Sequence, residues 1–421
     1  MSRIVLTTMG SLGDLHPFIA IGLELRDRGH DIVFATVKQD RAKVESLGFE
    51  FFSIRPDYIA MDDRKMLALM MDLQKGTERV IRDYFSANVR DTYADLMDAA
   101  QNADFIVSHE IVYATPLVAE ILKVPWVVCI LGPGSFFSAY DPFVLAPFPA
   151  LAKLRVFGPT VNRWVMDYAR FVTRDWGEPI HRLRQNLGLE PVGHPIIDDK
   201  FSPDLVLALF SPVLGSPQPD WPPNTVATGF AFYDGNSERG LAPELQQFLA
   251  SGEPPIVFTL GSAAVLVPGD FYAIGIEAAK NLNRRAILLI GNNPPPEPLP
   301  ESIIALDYAP FSEIFPHACA IVHQGGVGTT AQGLRSGHPT LVVPYSHDQP
   351  DNAARLERLG TSRTIPRKQY SASRVIRELG QLLNHPSYAA KAAEIGRILQ
   401  SENGVGVACD EIEKRLSIKY C

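Results

Sequence analysis

Two stretches of this 421-residue chain repeat one pattern. Arg3–Ser11 reads RIVLTTMGS and Pro255–Ser262 reads PIVFTLGS, each a short apolar, β-branched run ending in Gly-Ser. An apolar run without alternation suits a strand buried on both faces of a parallel sheet. Glycine after such a strand permits the tight turn into a helix. A helical pattern follows the first stretch. Pro17–Gly29 (PFIAIGLELRDRG) spaces its apolar residues helically, with proline in the first turn and glycine at the end. His30–Val37, Asp104–Ser108 and Pro125–Leu131 continue the strand pattern in the first half, and Arg285–Ile290, Ala320–His323 and Pro339–Val343 in the second. Strands alternating with helices predict an α/β architecture of parallel sheets with helices on both faces.

Composition narrows what such sheets can hold. With 39 basic and 47 acidic residues the net charge is −8. That lacks the basic field on which nucleic-acid binding depends, so no nucleic-acid partner is expected. An anionic ligand must instead be held locally, by backbone N–H groups and helix ends. The 46% hydrophobic and 20% charged content excludes a disordered chain. Cys129, Cys319, Cys409 and Cys421 form no Cys-x-x-Cys pair, which argues against a zinc site or disulfide framework and suits a reducing cytoplasm. The opening MSRIVLTTMGSLGD reads as a strand rather than a secretory signal. No apolar run reaches the roughly 18 residues of a membrane span, so a cytoplasmic protein is expected, with peripheral membrane contact left open. The nearest run, Phe143–Val161, is broken by prolines, Lys153 and Arg155, and is read as a mostly buried loop and helix rather than an exposed apolar lip.

Ser211–Asn224 (SPVLGSPQPDWPPN) is proline-rich and aperiodic and reads as a linker. It divides the chain into Rossmann-like domains at 1–215 and 216–400, with a C-terminal helix at 401–421 returning to the first domain. Ligands of such sheets bind beyond the carboxyl ends of the strands, so a cleft between the domains is the expected site.

Three segments carry chemistry. In Ala320–Thr330 (AIVHQGGVGTT) a strand ends at His323, Gly325, Gly326 and Gly328 follow, and Thr329 and Thr330 open a helix. That order suits a phosphate or diphosphate seat, because glycines admit the ligand to a helix start with unpaired N–H groups. His323 adds a hydrogen bond or, if protonated, a positive charge. The bland alternative is a turn that needs glycine only for packing. There is no G-x-x-x-x-G-K-[ST], and the first strand is followed by Gly10-Ser11-Leu12-Gly13 rather than G-x-G-x-x-G, which disfavours P-loop and dinucleotide readings. In Leu341–Ala353 (LVVPYSHDQPDNA), Asp348 and Gln349 suit hydrogen bonds to several hydroxyls of a sugar, while Asp351 reads as a helix cap. In Gly10–Pro17 (GSLGDLHP), Asp14 is either a general base on a hydroxyl or a helix N-cap. His16 and His109 are rival bases. His16 lies two residues from Asp14, off its helical face, whereas His109 ends the strand DFIVSH and either supports Asp14 or is a satisfied strand-end histidine.

In their order, GSLGDLHPF, FTLGS, YAP (Tyr308–Pro310), HQGGVGTT and PYSHDQPDNA resemble the nucleotide-sugar-dependent glycosyltransferases of the GT-B fold. The likeness spans essentially the whole chain. It is strongest to family 1: glycolipid rhamnosyltransferases, sterol glucosyltransferases and antibiotic glycosyltransferases. TGFAFYDG (Thr228–Gly235) and FYA (Phe271–Ala273) look most like the rhamnosyltransferases. The resemblance implies two Rossmann-like domains facing a central cleft and an inverting, metal-independent transfer. It implies no cofactor, only a UDP- or dTDP-linked sugar as co-substrate. His323, Gly325, Gly326, Gly328 and Thr329 would hold the diphosphate, with Ser262 reaching it from the other loop. Tyr308 stands where plant members stack a tryptophan on uracil, and Ala309 would meet the base edge by its backbone. Asp348 and Gln349 match the sugar-binding pair, and Asp14 the catalytic position. Phe311 replaces a glutamine of plant members, and Ala331 or Gln332 falls where they carry the ribose-binding glutamate, so UDP and dTDP both stay open. The chain contains no Asp-x-Asp of the kind that holds metal in GT-A enzymes.

The acceptor rests on less. Phe136, Phe137, Tyr140, Phe143 and Phe148 follow the strand PWVVCIL and either line an apolar acceptor pocket or pack in the core. In the first case the partner is a lipid hydroxyl or a flat natural product. A nucleotide-sugar epimerase and a non-catalytic partner subunit are the competing readings.

Overall fold

A computed structural model describes residues 1–57, 63–235 and 241–418. The chain forms two compact units: Met1–Ala60 with Lys75–Tyr233 and Asn403–Cys421, and Met61–Gln74 with Asp234–Glu402. The first holds strands β1 (Arg3–Thr7), β2 (Asp31–Thr36), β3 (Glu50–Ser53), β4 (Phe105–His109), β5 (Trp126–Ile130), β6 (Leu205–Ala208) and β7 (Thr225–Ala227). The second holds β8 (Ile256–Thr259), β9 (Ala286–Leu289), β10 (Ile303–Leu306), β11 (Ala320–His323), β12 (Thr340–Val342) and β13 (Ser362–Thr364). The helices used below are α1 (Leu12–Asp27), α2 (Pro159–Thr173), α3 (Val327–Ser336), α4 (Gln349–Leu359) and α5 (Gly404–Ile418).

Both sheets are parallel, with orders β3-β2-β1-β4-β5-β6-β7 and β10-β9-β8-β11-β12-β13. The apolar runs behave as their composition dictates: β4, β5, β6, β8, β9 and β11 are buried throughout, as strands covered on both faces must be. Each sheet winds outward in both directions from its first strand. The order therefore reverses between β1 and β4 in one unit and between β8 and β11 in the other. At such a reversal the chains leaving two adjacent strands turn opposite ways and open a crevice beyond their carboxyl ends.

The structure differs from the sequence-based expectation in several places. Helix α1 begins at Leu12, and Pro17 lies inside it rather than in its first turn. The cause is a capping box, in which Ser11 caps the helix and the Asp14 carboxylate reaches back to the Ser11 N–H. The proline-rich stretch 211–224 is not an interdomain linker. It joins β6 to the edge strand β7 within the first unit, which runs on to Tyr233. Trp221 anchors it by stacking on Phe136 with ring centroids 3.9 Å apart, and Asp220 accepts hydrogen bonds from Ser138 Oγ (2.6 Å) and Ala139 N–H (2.8 Å). Prolines lack the N–H that a sheet ladder needs, and these side-chain contacts add to the few turn hydrogen bonds the loop makes, such as Trp221 N–H to the Gln218 oxygen (3.1 Å). Residues 61–74 also depart from a two-block division, since Met71 joins the apolar core around β8 and β11.

The segment expected to be a mostly buried loop and helix is largely exposed. Pro149–Phe157 is a 3₁₀ run with no buried residue, and Val156 is 79% and Phe157 67% accessible. At the other end of the chain, α5 packs on the first unit. Arg28 donates to Asp410 (2.6 Å) and Glu413 (2.7 Å), and Gly404 sits so close that a Cβ there would lie 2.4 Å from the Phe230 carbonyl oxygen.

Phe136→Ala should lower the unfolding free energy by about 3 kcal/mol, because it opens a cavity beneath Trp221. Denaturant titration measures this; an unchanged midpoint would contradict the core placement of the ring.

Candidate functional site

In the second unit, β11 ends at His323 beside the end of β8, whose turn carries Gly261 and Ser262. Gly325 has φ 90°, and a Cβ there would come within 2.9 Å of Val342 Cγ1 and 3.1 Å of the Gln349 carbonyl oxygen. Packing therefore demands this glycine as much as conformation does. Gly326 is the N-cap of α3 and, having no side chain, makes no side-chain cap. The first intrahelical bond runs from Thr330 N–H to the Gly326 oxygen (2.9 Å). The amides of Val327, Gly328 and Thr329 are thus orphan donors of the first turn, at the positive end of the helix dipole. The two loops are keyed together by Gln324. Its Nε2 donates to Thr329 Oγ1 (3.4 Å) and lies where a Cβ on Gly261 would approach to 2.4 Å. Ser262, half-buried, follows directly.

His323 is fully buried, and its Nδ1 accepts the Gly325 N–H at 3.1 Å. The ring proton therefore sits on Nε2, which has no hydrogen-bond partner among the described residues. Burial lowers its pKa from 6.5 to about 3, so the ring is neutral near pH 7. Of the two roles the sequence left open, hydrogen-bond donor or cation, the buried ring fits the donor. Gln324 Oε1 and Thr330 Oγ1 are likewise buried without partners in this turn. Buried polar atoms left unpaired in one place cost free energy unless a ligand or water completes them.

Helix α4 supplies the next groups. Asp348 is its N-cap, and Asp348 Oδ2 accepts from Asn352 Nδ2 at 2.7 Å. Gln349 Oε1 accepts the N–H groups of Tyr345 (2.8 Å) and Ser346 (3.2 Å). That leaves its amide nitrogen as the group able to donate outward. Asp351 does not cap the helix as the sequence suggested: it lies in the first turn after the Asp348 N-cap and pairs with Arg355 at 2.7 Å, both almost wholly buried. The sequence places Asn352 in this cluster without assigning it a role; its Nδ2 also donates to the Gly325 carbonyl (2.9 Å) and so bolts α4 to the glycine turn. Its place one turn after Asp348 was the available signal. His347, before Asp348, sits at φ 58°, a left-handed conformation that costs a side-chain-bearing residue free energy. Tyr308 is 70% accessible, so its ring can take a stacked partner, whereas Ala309 is buried in the core and offers only backbone.

In the first unit the β1–β4 reversal gathers a second group. Thr7 is in register with Ser108, which sets Thr8 beside His109. Thr8 Oγ1 donates to the Asp14 carbonyl oxygen (3.3 Å) and lies 3.3 Å from His109 Nδ1. With its proton directed to Asp14, the hydroxyl accepts from Nδ1–H, and His109 Nε2 is left facing Asp14 Oδ1 at 4.0 Å. Asp14 Oδ2 takes the Ser11 N–H (2.7 Å) and hydroxyl (3.2 Å), leaving Oδ1 toward His109. The turn after His109 is fixed by a buried ion pair between Glu110 and Lys200, with Ser135 Oγ donating to Glu110 at 2.6 Å. Asp14 is therefore not the N-cap but the third helical residue of the capping box, with Ser11 as N-cap, and its second oxygen faces His109. His16 packs its ring edge-on to Tyr233, 5.1 Å between centroids.

The aromatic stretch divides. Phe136 is not a lining residue. It is 5% accessible and stacked between Trp221 and Phe201, so neither ring face is left for a ligand. Phe137, at φ 49° against Phe143, is half-buried, and Tyr140 is 45% accessible.

Comparison with known proteins follows this geometry. The family description "Glycosyltransferase family 28 N-terminal domain" matches residues 4–120, and "Erythromycin biosynthesis protein CIII-like, C-terminal domain" matches 278–412. The chain is similar to O-mycaminosyltylonolide 6-deoxyallosyltransferase of Streptomyces fradiae, at 32% identity over 98% of this chain and 97% of that protein. It is also similar to the sterol 3-beta-glucosyltransferase of Yarrowia lipolytica, at 27% identity over 98% of this chain but 28% of that much longer protein. Among solved structures, glycosyltransferase VinC in complex with dTDP shares the fold, with a TM-score of 0.68 and 20% identity over 98% of this chain and 99% of that one.

The buried histidine yields a pH dependence. The unfolded imidazole titrates near 6.5 and the folded one near 3, so the unfolded chain binds the extra proton between those values. This contribution to stability is complete above 6.5 and is lost as pH falls through that window. His323→Gln should lose less stability than the parent between pH 7 and pH 5 in denaturant titrations, with a slope difference of up to about 1.4 kcal/mol per pH unit. Parallel slopes would refute the neutral buried ring.

Proposed function

We propose, from the premise that this chain belongs to the family 1 glycosyltransferases of the GT-B fold, that it transfers a hexose from a UDP- or dTDP-linked donor to a hydroxyl of a hydrophobic acceptor. The observation that carries this reading is the start of α3, where uncapped amides stand beside a buried His323 whose Nε2–H has no partner. A diphosphate supplies acceptors for those donors, and the helix dipole favours its charge. The dTDP held by the VinC glycosyltransferase fits such a donor. Tyr308 would stack on the pyrimidine, Ser262 and Thr329 would reach the phosphates, and Asp348 with the Gln349 amide would take the sugar hydroxyls.

Transfer is a displacement at the anomeric carbon. The acceptor oxygen forms the new bond as its proton passes to Asp14, and the bond to the diphosphate breaks with its electron pair leaving on phosphate oxygen. Configuration inverts. His109 Nε2, unprotonated and 4.0 Å from Asp14 Oδ1, is placed to accept a hydrogen bond from that carboxyl once it holds the proton. His16, turned onto Tyr233, has no part in this scheme. The growing charge on the leaving group is met by the α3 amides and His323, so the reaction runs without a divalent cation. For the acceptor, the curated relatives are named for a tylonolide derivative and for sterols, and a hydroxylated polycyclic or macrocyclic natural product is the class we favour. Phe137 and Tyr140 are the aromatic side chains placed to meet it.

Thermal-shift titration with UDP, dTDP and their hexose conjugates, followed by an acceptor panel read by mass spectrometry, tests the assignment. Stabilisation by a nucleotide and a hexose mass added to an acceptor support it. Release of free sugar or an altered nucleotide sugar without acceptor would replace it with a hydrolase or epimerase. Asp14→Asn should cut kcat by about 100-fold or more with the nucleotide Kd unchanged. His323→Ala should weaken nucleotide-diphosphate binding by about 10-fold, the worth of one hydrogen bond to a charged group. Turnover should persist in excess chelator; loss restored by magnesium would contradict the helix-end account.

A further inference from the structure

The donor and base sites leave one feature of the first unit unused. Helix α2 is apolar on two sides. Met166 and Ala169 face inward and are buried with Asn162, whose Nδ2 donates to the Ala139 carbonyl at 2.9 Å. Trp164, Tyr168, Phe171 and Val172 recur at the spacing of a single helical stripe, yet are 69%, 61%, 62% and 49% accessible. The preceding 3₁₀ run adds Val156 and Phe157, and Phe148 before it is 58% accessible. Exposed apolar residues are ordinary singly, but seven large ones gathered on consecutive elements are not.

Charge says what covers them. The whole chain carries −8, but Pro149–Gly177 holds Lys153, Arg155, Arg163, Arg170 and Arg174 against Asp167 and Asp175, an excess of +3 along the segment that Asp141 and Asp198, paired onto it from elsewhere, reduce to +1. Arg170 and Arg174 spread their charge over neighbouring carboxylates, at 3.1 Å to Asp198 and 3.1 Å to Asp175, and Arg155 lies 3.6 Å from Asp141. Lys153 and Arg163 are exposed beside the aromatic stripe. Trp, Tyr and Phe on one side of a helix with basic residues along its border is the composition of an element lying in a lipid interface. The rings enter the headgroup boundary and the cations meet anionic headgroups.

We propose that the outer face of α2 and the 3₁₀ run before it dock this protein on an anionic lipid surface. The inference goes beyond the transferase reading and does not require it. The contact is peripheral, since no described helix is long and apolar enough to cross a membrane.

The test is sedimentation of the intact protein with vesicles of phosphatidylglycerol and phosphatidylcholine, or of phosphatidylcholine alone. Binding to the anionic vesicles at least about 10-fold tighter than to neutral ones, and weakened as salt screens the charges, is expected. Trp164→Ser with Phe171→Ser, and separately Lys153→Glu with Arg163→Glu, should each reduce that binding by about 10-fold or more, with unchanged thermal melting, since these side chains are exposed. Absence of parent binding, or variants that bind like the parent, would overturn the proposal. So would a parent mass in light scattering that is twice the monomer and falls to one in the serine variant, because the face would then join copies of the chain. A rise in acceptor KM in the serine variant without any vesicle binding would assign the stripe to the acceptor and equally end it.

Discussion

Everything chemical in this chain hangs on one feature of sheet topology, the place where a parallel sheet reverses its strand order. Two neighbouring strands send their chains to opposite faces there, and the backbone beyond them opens. The reversal occurs between β1 and β4 and again between β8 and β11. Asp14 and His109 stand at the first, Ser262, His323 and the glycine turn at the second. These residues are widely separated in sequence. The parallel register of two adjacent strands brings each set together, pairing Thr7 with Ser108 and Val322 with Phe258.

At the second reversal the structure keeps polar groups unpaired where it could have capped them. A serine or aspartate N-cap would satisfy one of the first-turn amides of α3, but a Cβ at Gly326 would come within 2.8 Å of Gln324 Nε2. Glycine there leaves the amides open, and the buried His323 ring, held neutral, adds a donor with no acceptor among the described residues. Around this opening the framework is tightly closed. Asn352 ties α4 to the Gly325 carbonyl, Gln349 closes the loop before it, and Asp351 with Arg355 buries a complete ion pair. Rigid neighbours around unsatisfied donors are the arrangement that binds an anion without prior reorganisation. The first reversal works differently. There Asp14 is satisfied as a capping-box acceptor on one oxygen while the other faces His109, so in the proposed reaction a single carboxylate would serve fold and chemistry together.

Much of this was legible in the chain because the signals are local. Apolar runs ending in Gly-Ser marked β1 and β8, and the His-Gly-Gly-x-Gly-Thr-Thr order marked the strand-to-helix turn. Strands β3, β6, β7, β10 and β13 did not stand out; four of them, β3, β7, β10 and β13, are only partly buried, so they lack the long apolar run that marks a strand covered on both faces. The proline-rich stretch misled for a physical reason. Prolines remove backbone donors but say nothing of what side chains do, and the loop's own Trp221 and Asp220 fasten it to Phe136 and Ser138, outside its sequence. The aromatic cluster misled similarly, since whether Phe136 lines a pocket or fills a core depends on Trp221, 85 positions away.

The layered α/β architecture, the two Gly-Ser turns, the glycine-rich helix start and the interest of Asp14 and His323 can all be read from the chain alone. Each follows from residues adjacent along it, where backbone sterics and side-chain period act directly. That His323 is a neutral donor, that His109 rather than His16 faces Asp14, that Asn352 bridges two loops and that the stripe on α2 lies in solvent emerge only on folding. Those are matters of burial and of contact between distant segments, and a titration state, a hydrogen-bond partner and an exposed face are all properties of surroundings that the chain acquires only when it folds.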